Sequence, residues 1–245
     1  MIARCIWAEN RKLHGAAIWL AFLLVPLLSS TYGTFNFIQN QGILQMEWYD
    51  LWTQHTLFYA MMFFAPLVGV YASYLWRLEH LGHNWNLIMA APVTPLAIFF
   101  GKFVTVFKMV VLTQSWVFVL YLAFGKLWAH LPGWPPVEII LWLLRGLLGA
   151  AAVVALQLLL SMLIRNFAVP VLIALAGGIA GMLISNKGYG LFWPYALMLM
   201  GMNSNKTEDG MAGGIWLYVL SSVVFLVLIF AAADFLLKKR DVNAG

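Results

Sequence analysis

Six stretches of this chain keep their side chains apolar for long enough to cross a bilayer, with the polar residues gathered between them. A helix rises about 1.5 Å per residue, so roughly twenty apolar residues cover the hydrocarbon core. Spans are therefore predicted at about 15–33, 56–76, 103–124, 139–164, 167–185 and 215–233. The first two contain no charge, whereas Lys108 lies inside the third and Arg145 inside the fourth. Residues 189–202 are apolar but short, contain Pro194 and lie among glycines, which predicts a re-entrant or interfacial piece rather than a seventh span. The expected fold is all-α: a polytopic membrane protein in which residues 1–245 form a single transmembrane domain.

Charge gives the pattern a direction. Cytoplasmic flanks retain Lys and Arg during insertion. With the N-terminus inside, those flanks hold Arg4, Arg11, Lys12, Arg77, Lys102, Arg165, Lys238, Lys239 and Arg240, against Lys126, Lys187 and Lys206 outside. Both termini are thus expected in the cytoplasm, and the segment before the sixth span on the outer side. Trp48, Trp52, Trp128, Trp134, Trp193 and Trp216 crowd the outer boundary, the level that amphipathic rings prefer. Glu9 interrupts the basic N-terminal region and no small-residue cleavage site follows, so the first residues are expected to be retained.

Composition agrees, with 63% hydrophobic and 9% charged residues against roughly a quarter charged in soluble domains. The net charge of +5 does not point to nucleic acid, because the cations cluster beside apolar runs. The single cysteine, Cys5, excludes an internal disulfide.

Between the second and third spans, Leu78, Leu81, Trp85 and Ile88 recur at helical spacing, while Glu79, His80, His83, Asn84 and Asn86 fall elsewhere on the circumference. This predicts a short amphipathic helix, ended by Pro92 and Pro95. It either lies flat on the membrane or transmits movement from a cytoplasmic partner into the spans. A partner would be needed for ATP-driven work: Gly101-Lys102 and Gly125-Lys126 lack the following Ser or Thr of a phosphate-binding loop. His80 and His83 beside Glu79 lack the converging ligands of a metal site and read as a solvated polar face. No catalytic constellation falls within the spans, so no enzyme and no cofactor are expected in this chain. A three-plus-three repeat, the mark of many secondary transporters, is not evident.

The intramembrane polar residues are open to two readings. Arg145 follows Glu138 by about 10 Å of helix, so it either snorkels outward or faces the bundle interior and touches substrate. Lys108 has the same choice toward the cytoplasm. Gln114, Ser115 and Gln157 suit hydrogen bonds between helices, and Gly177 with Gly181 makes a face for close packing. Phe192, Trp193 and Tyr195 suit either an amphipathic ligand or interfacial anchoring.

Several motifs together resemble a known family. They are Ala8-Glu9-Asn10-Arg11-Lys12-Leu13, Phe58-Tyr59-Ala60, Trp76-Arg77-Leu78-Glu79-His80 with Asn84-Trp85-Asn86-Leu87, and Pro92-Val93 leading to Gly101-Lys102-Phe103. Over nearly the whole chain they resemble the permease subunits of small ABC exporters that give bacteria immunity to lantibiotics or resistance to bacitracin-like peptides. The resemblance implies a type-2 exporter permease of the bacterial plasma membrane, with an amphipathic N-terminal helix, a coupling helix in the first cytoplasmic loop and a re-entrant outer segment. It implies two permease chains, identical or sisters, on two copies of a cytoplasmic ATPase that binds ATP and magnesium. ATPase contact carries over to Glu79, His80, Asn84, Trp85 and Asn86, and a peptide substrate would meet Arg145, Phe192, Trp193 and Tyr195. The alternatives are a permease for another amphipathic or lipid-linked substrate, or a secondary transporter. One departure is Glu9, which falls near the face of the N-terminal segment shared by Ile2 and Ile6.

Overall fold

The computed structural model describes residues 2–81, 92–204, 206, 210–211 and 213–239, and every regular element among them is helical. An N-terminal helix, α1 (Ile2–Lys12), precedes six helices long and apolar enough to cross a membrane. The first span is α2 (Ile18–Gln39). The second runs unbroken from Glu47 to His80 as α3 (Glu47–Phe58), a π-helical turn (Tyr59–Phe63) and α4 (Phe64–His80). The remaining spans are α5 (Pro95–Leu127), α6 (Glu138–Leu163), α7 (Ala168–Asn186) and α9 (Gly214–Lys239), with the short α8 (Pro194–Gly201) between the last two.

The second span begins nine residues earlier than its apolar run predicts, at Glu47 rather than 56, because its polar residues find partners inside the protein. The Asp50 carboxylate accepts the Met46 backbone N–H at 2.6 Å, and the Thr53 and Thr56 hydroxyls donate to carbonyls of their own helix. His55 is fully buried, with Nε2 2.9 Å from the Ser30 hydroxyl of α2 and 3.2 Å from the Val117 carbonyl of α5. An apolar ruler stops at such residues, whereas a bundle accepts them once they are bonded. The third span is longer too. Its 33 residues make about 50 Å of helix, about 20 Å more than a hydrocarbon core of about 30 Å requires.

The helices alternate in direction, so the start of α2, the end of α4, the start of α5, the α6–α7 turn and the end of α9 share one end of the bundle. Contacts across that end bear this out: Phe99 packs edge-on against Phe230 at 5.2 Å, and Arg77 lies 5.9 Å from the Phe167 ring. We call this the basal end. At the opposite end, the Trp48 indole donates to the Pro132 carbonyl and the Trp52 indole to the Met202 carbonyl, both at 2.8 Å.

Residues 190–201 form a 3-10 turn (Gly190–Phe192) and then α8, about 12 Å long and too short to cross. Six of its eight residues are buried, so the segment is tucked into the bundle among α6, α7 and α9. Proline opens it where a first helical turn tolerates a missing N–H. The close-packing face of Gly177 and Gly181 meets this segment, at the Tyr195 ring and the Ala196 backbone. On α6, Gly149 leaves so little room that an added Cβ would sit 2.5 Å from the Leu197 carbonyl carbon and 2.6 Å from the Tyr218 hydroxyl. Gly149→Val is therefore expected to push α8 out of register. The cost of overpacking, about 1–3 kcal/mol, should appear as a lowered thermal midpoint of the purified protein.

Candidate functional site

At the basal end, four charges from three elements meet in a largely buried cluster. α1 supplies Glu9 and Lys12, the last turn of α4 supplies Glu79, and the second turn of α5 supplies Lys102. The Lys102 ammonium is completely buried and spends its three donors on Glu9 Oε2 at 2.9 Å, Glu79 Oε1 at 2.7 Å and the Leu75 carbonyl at 3.3 Å. It also lies 4.8 Å from the Trp76 ring, close enough for a cation–π contact. Lys12 bridges the same acids, donating to Glu9 Oε1 at 2.7 Å and to Glu79 Oε1. Side-chain exposures of 6% for Glu9 and 3% for Glu79 place the carboxylates inside, with Lys12 at the rim.

Local sequence explains the assembly. On α1, Cys5, Ile6, Glu9 and Asn10 turn toward α5, with Glu9 deepest. The Asn10 amide donates to the Ile6 carbonyl and the Thr105 hydroxyl, and Lys108 donates to Asn10 Oδ1. Lys108 thus reaches back toward the basal end. Glu9, which interrupts the apolar face of α1, is the residue that neutralises Lys102.

Two like pairs share the cluster, and each charge is opposed by at least one opposite charge. Such a group gains little net stability over an apolar packing of the same shape, but removal of one member leaves a buried charge uncompensated. Burial would lower the Lys12 pKa from its ordinary 10.5, yet the Glu9 charge and the hydrogen bonds to Glu79 and Glu9 outweigh burial and raise it. The hold that Lys12 adds is therefore complete below pH 10.5 and fades only as pH rises through the elevated value. Lys12→Met should therefore leave a nitroxide on the exposed Ala8 (Ala8→Cys in a Cys5→Ser chain) more mobile at neutral pH than in the chain that keeps Lys12.

The five residues expected to contact an ATPase divide. Glu79 and His80 belong to the last turn of α4, not to a separate loop helix, and both turn inward. Glu79 joins the cluster. His80 stacks on Trp76 and sets its Nε2 3.2 Å from the Ser161 carbonyl of α6. Asn84, Trp85 and Asn86, like His83, lie outside the described residues. The cluster therefore holds the two ends of the loop, Glu79 just before it and Lys102 just after it, onto α1.

The four residues expected along a substrate path do not form one site. Phe192 is 76% exposed, while Trp193 donates to the Gly177 carbonyl at 2.9 Å and the Tyr195 hydroxyl accepts the Gln157 amide at 2.6 Å. The last two are anchors of the re-entrant segment. Arg145 is half-buried on α6, and its carbonyl accepts the Tyr218 hydroxyl. None of the four lines the cavity beside α8, of about 270 Å³, whose walls include Ser185, Asn186, Met200, Asn203, Ser204 and Lys206. Gln114 donates to the Met202 sulfur of the re-entrant arm, whereas Ser115 bonds back to its own helix.

Sequence reading counted Lys102 as a flank charge and missed its pairing. The signal was present in Glu9, since a lone acid on an apolar helix face calls for a buried cation. A family model described as ABC-2 family transporter protein matches residues 5–181, a stretch that takes in all four members of the cluster. Neither the curated proteins nor the solved structures gave a match.

Proposed function

Given that this chain belongs to the ABC-2 family of transporter proteins, we propose that it is the membrane half of an exporter driven by a separate ATPase, with residues 81–94 receiving the stroke. The chain is a multi-pass membrane protein, and its part in the family is transport rather than catalysis. The observation that carries the proposed coupling is the four-charge cluster. A push on the loop reaches Glu79 and Lys102 first, and both are bonded to α1 and packed into the second and third spans. Force applied at the loop thus moves two spans and the N-terminal helix as one piece. Asn84, Trp85 and Asn86 would touch the ATPase, with Glu79 and His80 seating the loop from within.

In this reading the basal end is cytoplasmic, which agrees with the excess of Lys and Arg there. Two ATPase copies, holding ATP and magnesium, would serve two permease chains, identical or sisters, in a bacterial plasma membrane. The proposed substrate is a membrane-active peptide antibiotic of the lantibiotic or bacitracin kind, handled at the outer end. Support comes from the cavity wall, which mixes Asn186, Asn203 and Lys206 with Leu199, Met200 and Met211, and from the exposed Tyr189 and Phe192 rings that flank its Gly188 and Gly190, an arrangement suited to an amphipathic molecule.

The test is co-expression with the candidate ATPase. The two should co-purify, and vesicles holding both should hydrolyse ATP faster when the peptide is added. Peptide export by this chain without any ATPase would overturn the proposal.

A further inference from the structure

We propose that the outer face of α1 is a docking surface for anionic phospholipid headgroups in the leaflet at the basal end. α1 carries one acid and three cations, and the structure sorts them by face. Glu9, the acid, is turned inward onto Lys102, and Lys12 sits at the rim of the cluster. Arg4 and Arg11 stand exposed on the opposite side of the helix, beside Trp7, which is 62% exposed. The Arg11 guanidinium lies over the Trp7 ring at 4.8 Å, so that one charge and one amphipathic ring present a joint surface. Exposed Lys108 adjoins the same helix through Asn10. By hiding its single carboxylate, α1 leaves a face that is cationic and aromatic, with no opposing charge of its own.

The level of the helix fits a headgroup partner. α1 meets α5 at Gly101, Thr105 and Lys108, about 9 to 20 Å from the start of a 33-residue helix that is about 20 Å longer than the hydrocarbon core. A basic amphipathic helix packed against the basal part of so long a span has anionic headgroups within reach of its cations. The inner face of the same helix holds Lys102 and Glu79, so lipid seated outside steadies the charge cluster inside. Surface attraction of this kind is worth roughly a five-fold preference per basic residue.

The full chain, carrying a fluorophore on Ala8→Cys in a Cys5→Ser background, is reconstituted in phosphatidylcholine vesicles. Quencher-bearing phosphatidylglycerol or quencher-bearing phosphatidylcholine is then titrated in. Quenching should favour phosphatidylglycerol, the preference should fall roughly five-fold for each of Arg4→Gln and Arg11→Gln, and Arg4→Lys with Arg11→Lys should retain it. Equal quenching by the two lipids, or an unchanged preference in the double glutamine variant, would overturn the assignment. So would loss of the preference in the double lysine variant, which keeps the charge. If the glutamine pair instead abolished co-purification with the ATPase in lipid-free detergent, the face would be a protein contact and the lipid assignment would fall.

Discussion

Lys102→Met is expected to leave the chain in the membrane yet uncouple it, so that ATP hydrolysis by the partner no longer responds to substrate. The substitution leaves Lys12, at the rim, as the one cation of the cluster opposing Glu79 and Glu9, and losing one member of a buried ion group costs about 3–5 kcal/mol. A fall in thermal midpoint alone would not separate coupling from stability. The double variant Lys102→Met with Glu79→Leu does so. It removes one acid and one base together and leaves the Glu9–Lys12 pair at 2.7 Å, so much of the lost stability should return. Coupling should not return, because the ion pairs that tie α1 to Glu79 and Lys102 are then both gone, and only the Asn10 and Tyr74 hydrogen bonds and the packing at Gly101 still join it to the two spans. Recovery of substrate-stimulated hydrolysis in the double variant would remove the cluster from the transmission path.

Trp52→Ala should act from the opposite end of the span that carries Glu79. Trp52 is fully buried, meets Tyr121 edge-on at 5.1 Å and donates to the carbonyl of Met202, the residue that follows α8. Deleting a buried indole costs about 3–5 kcal/mol and frees the end of the re-entrant segment. Faster backbone hydrogen exchange across residues 194–204 is the expected sign. Trp52→Phe keeps most of the packing but orphans the carbonyl, for about 1–3 kcal/mol. Unaltered exchange in both variants would show that the re-entrant segment is held by other contacts.

Trp52 and Glu79 lie about 40 Å apart on one helical rod, with a wide π turn at Tyr59–Phe63 between them. Such turns concentrate at functional sites. Here the neighbouring α7 presents Gly178 to the Met61 carbonyl, where a side chain would collide.

Much of this architecture was legible from hydrophobic pattern. Six spans follow from six apolar runs, and the re-entrant segment follows from its shortness and Pro194. The first turns of the second span were not legible, because Glu47, Asp50 and His55 look like loop residues until their internal partners are known. Gly177 and Gly181 announced a close approach, but a spacing within one helix does not name what approaches, and it proved to be α8. The charge cluster was hidden for the same reason. Its members lie 67 and 93 residues apart in the Lys12–Glu79 and Lys102–Glu9 pairs, and each alone resembles an ordinary membrane-flanking charge.

Glu9 with Lys12 on α1 adds up to zero, and so does Glu79 with Lys102 on the spans. Drawing one half away from the other would thus carry no net charge through the electric field of an energised membrane. That field is worth about 2.3 kcal/mol per elementary charge per 100 mV, and across this joint the contributions cancel. The four paired charges therefore give the joint no voltage dependence, and whatever sensitivity to polarisation the movement of α1 has comes from Arg4 and Arg11 on its outer face.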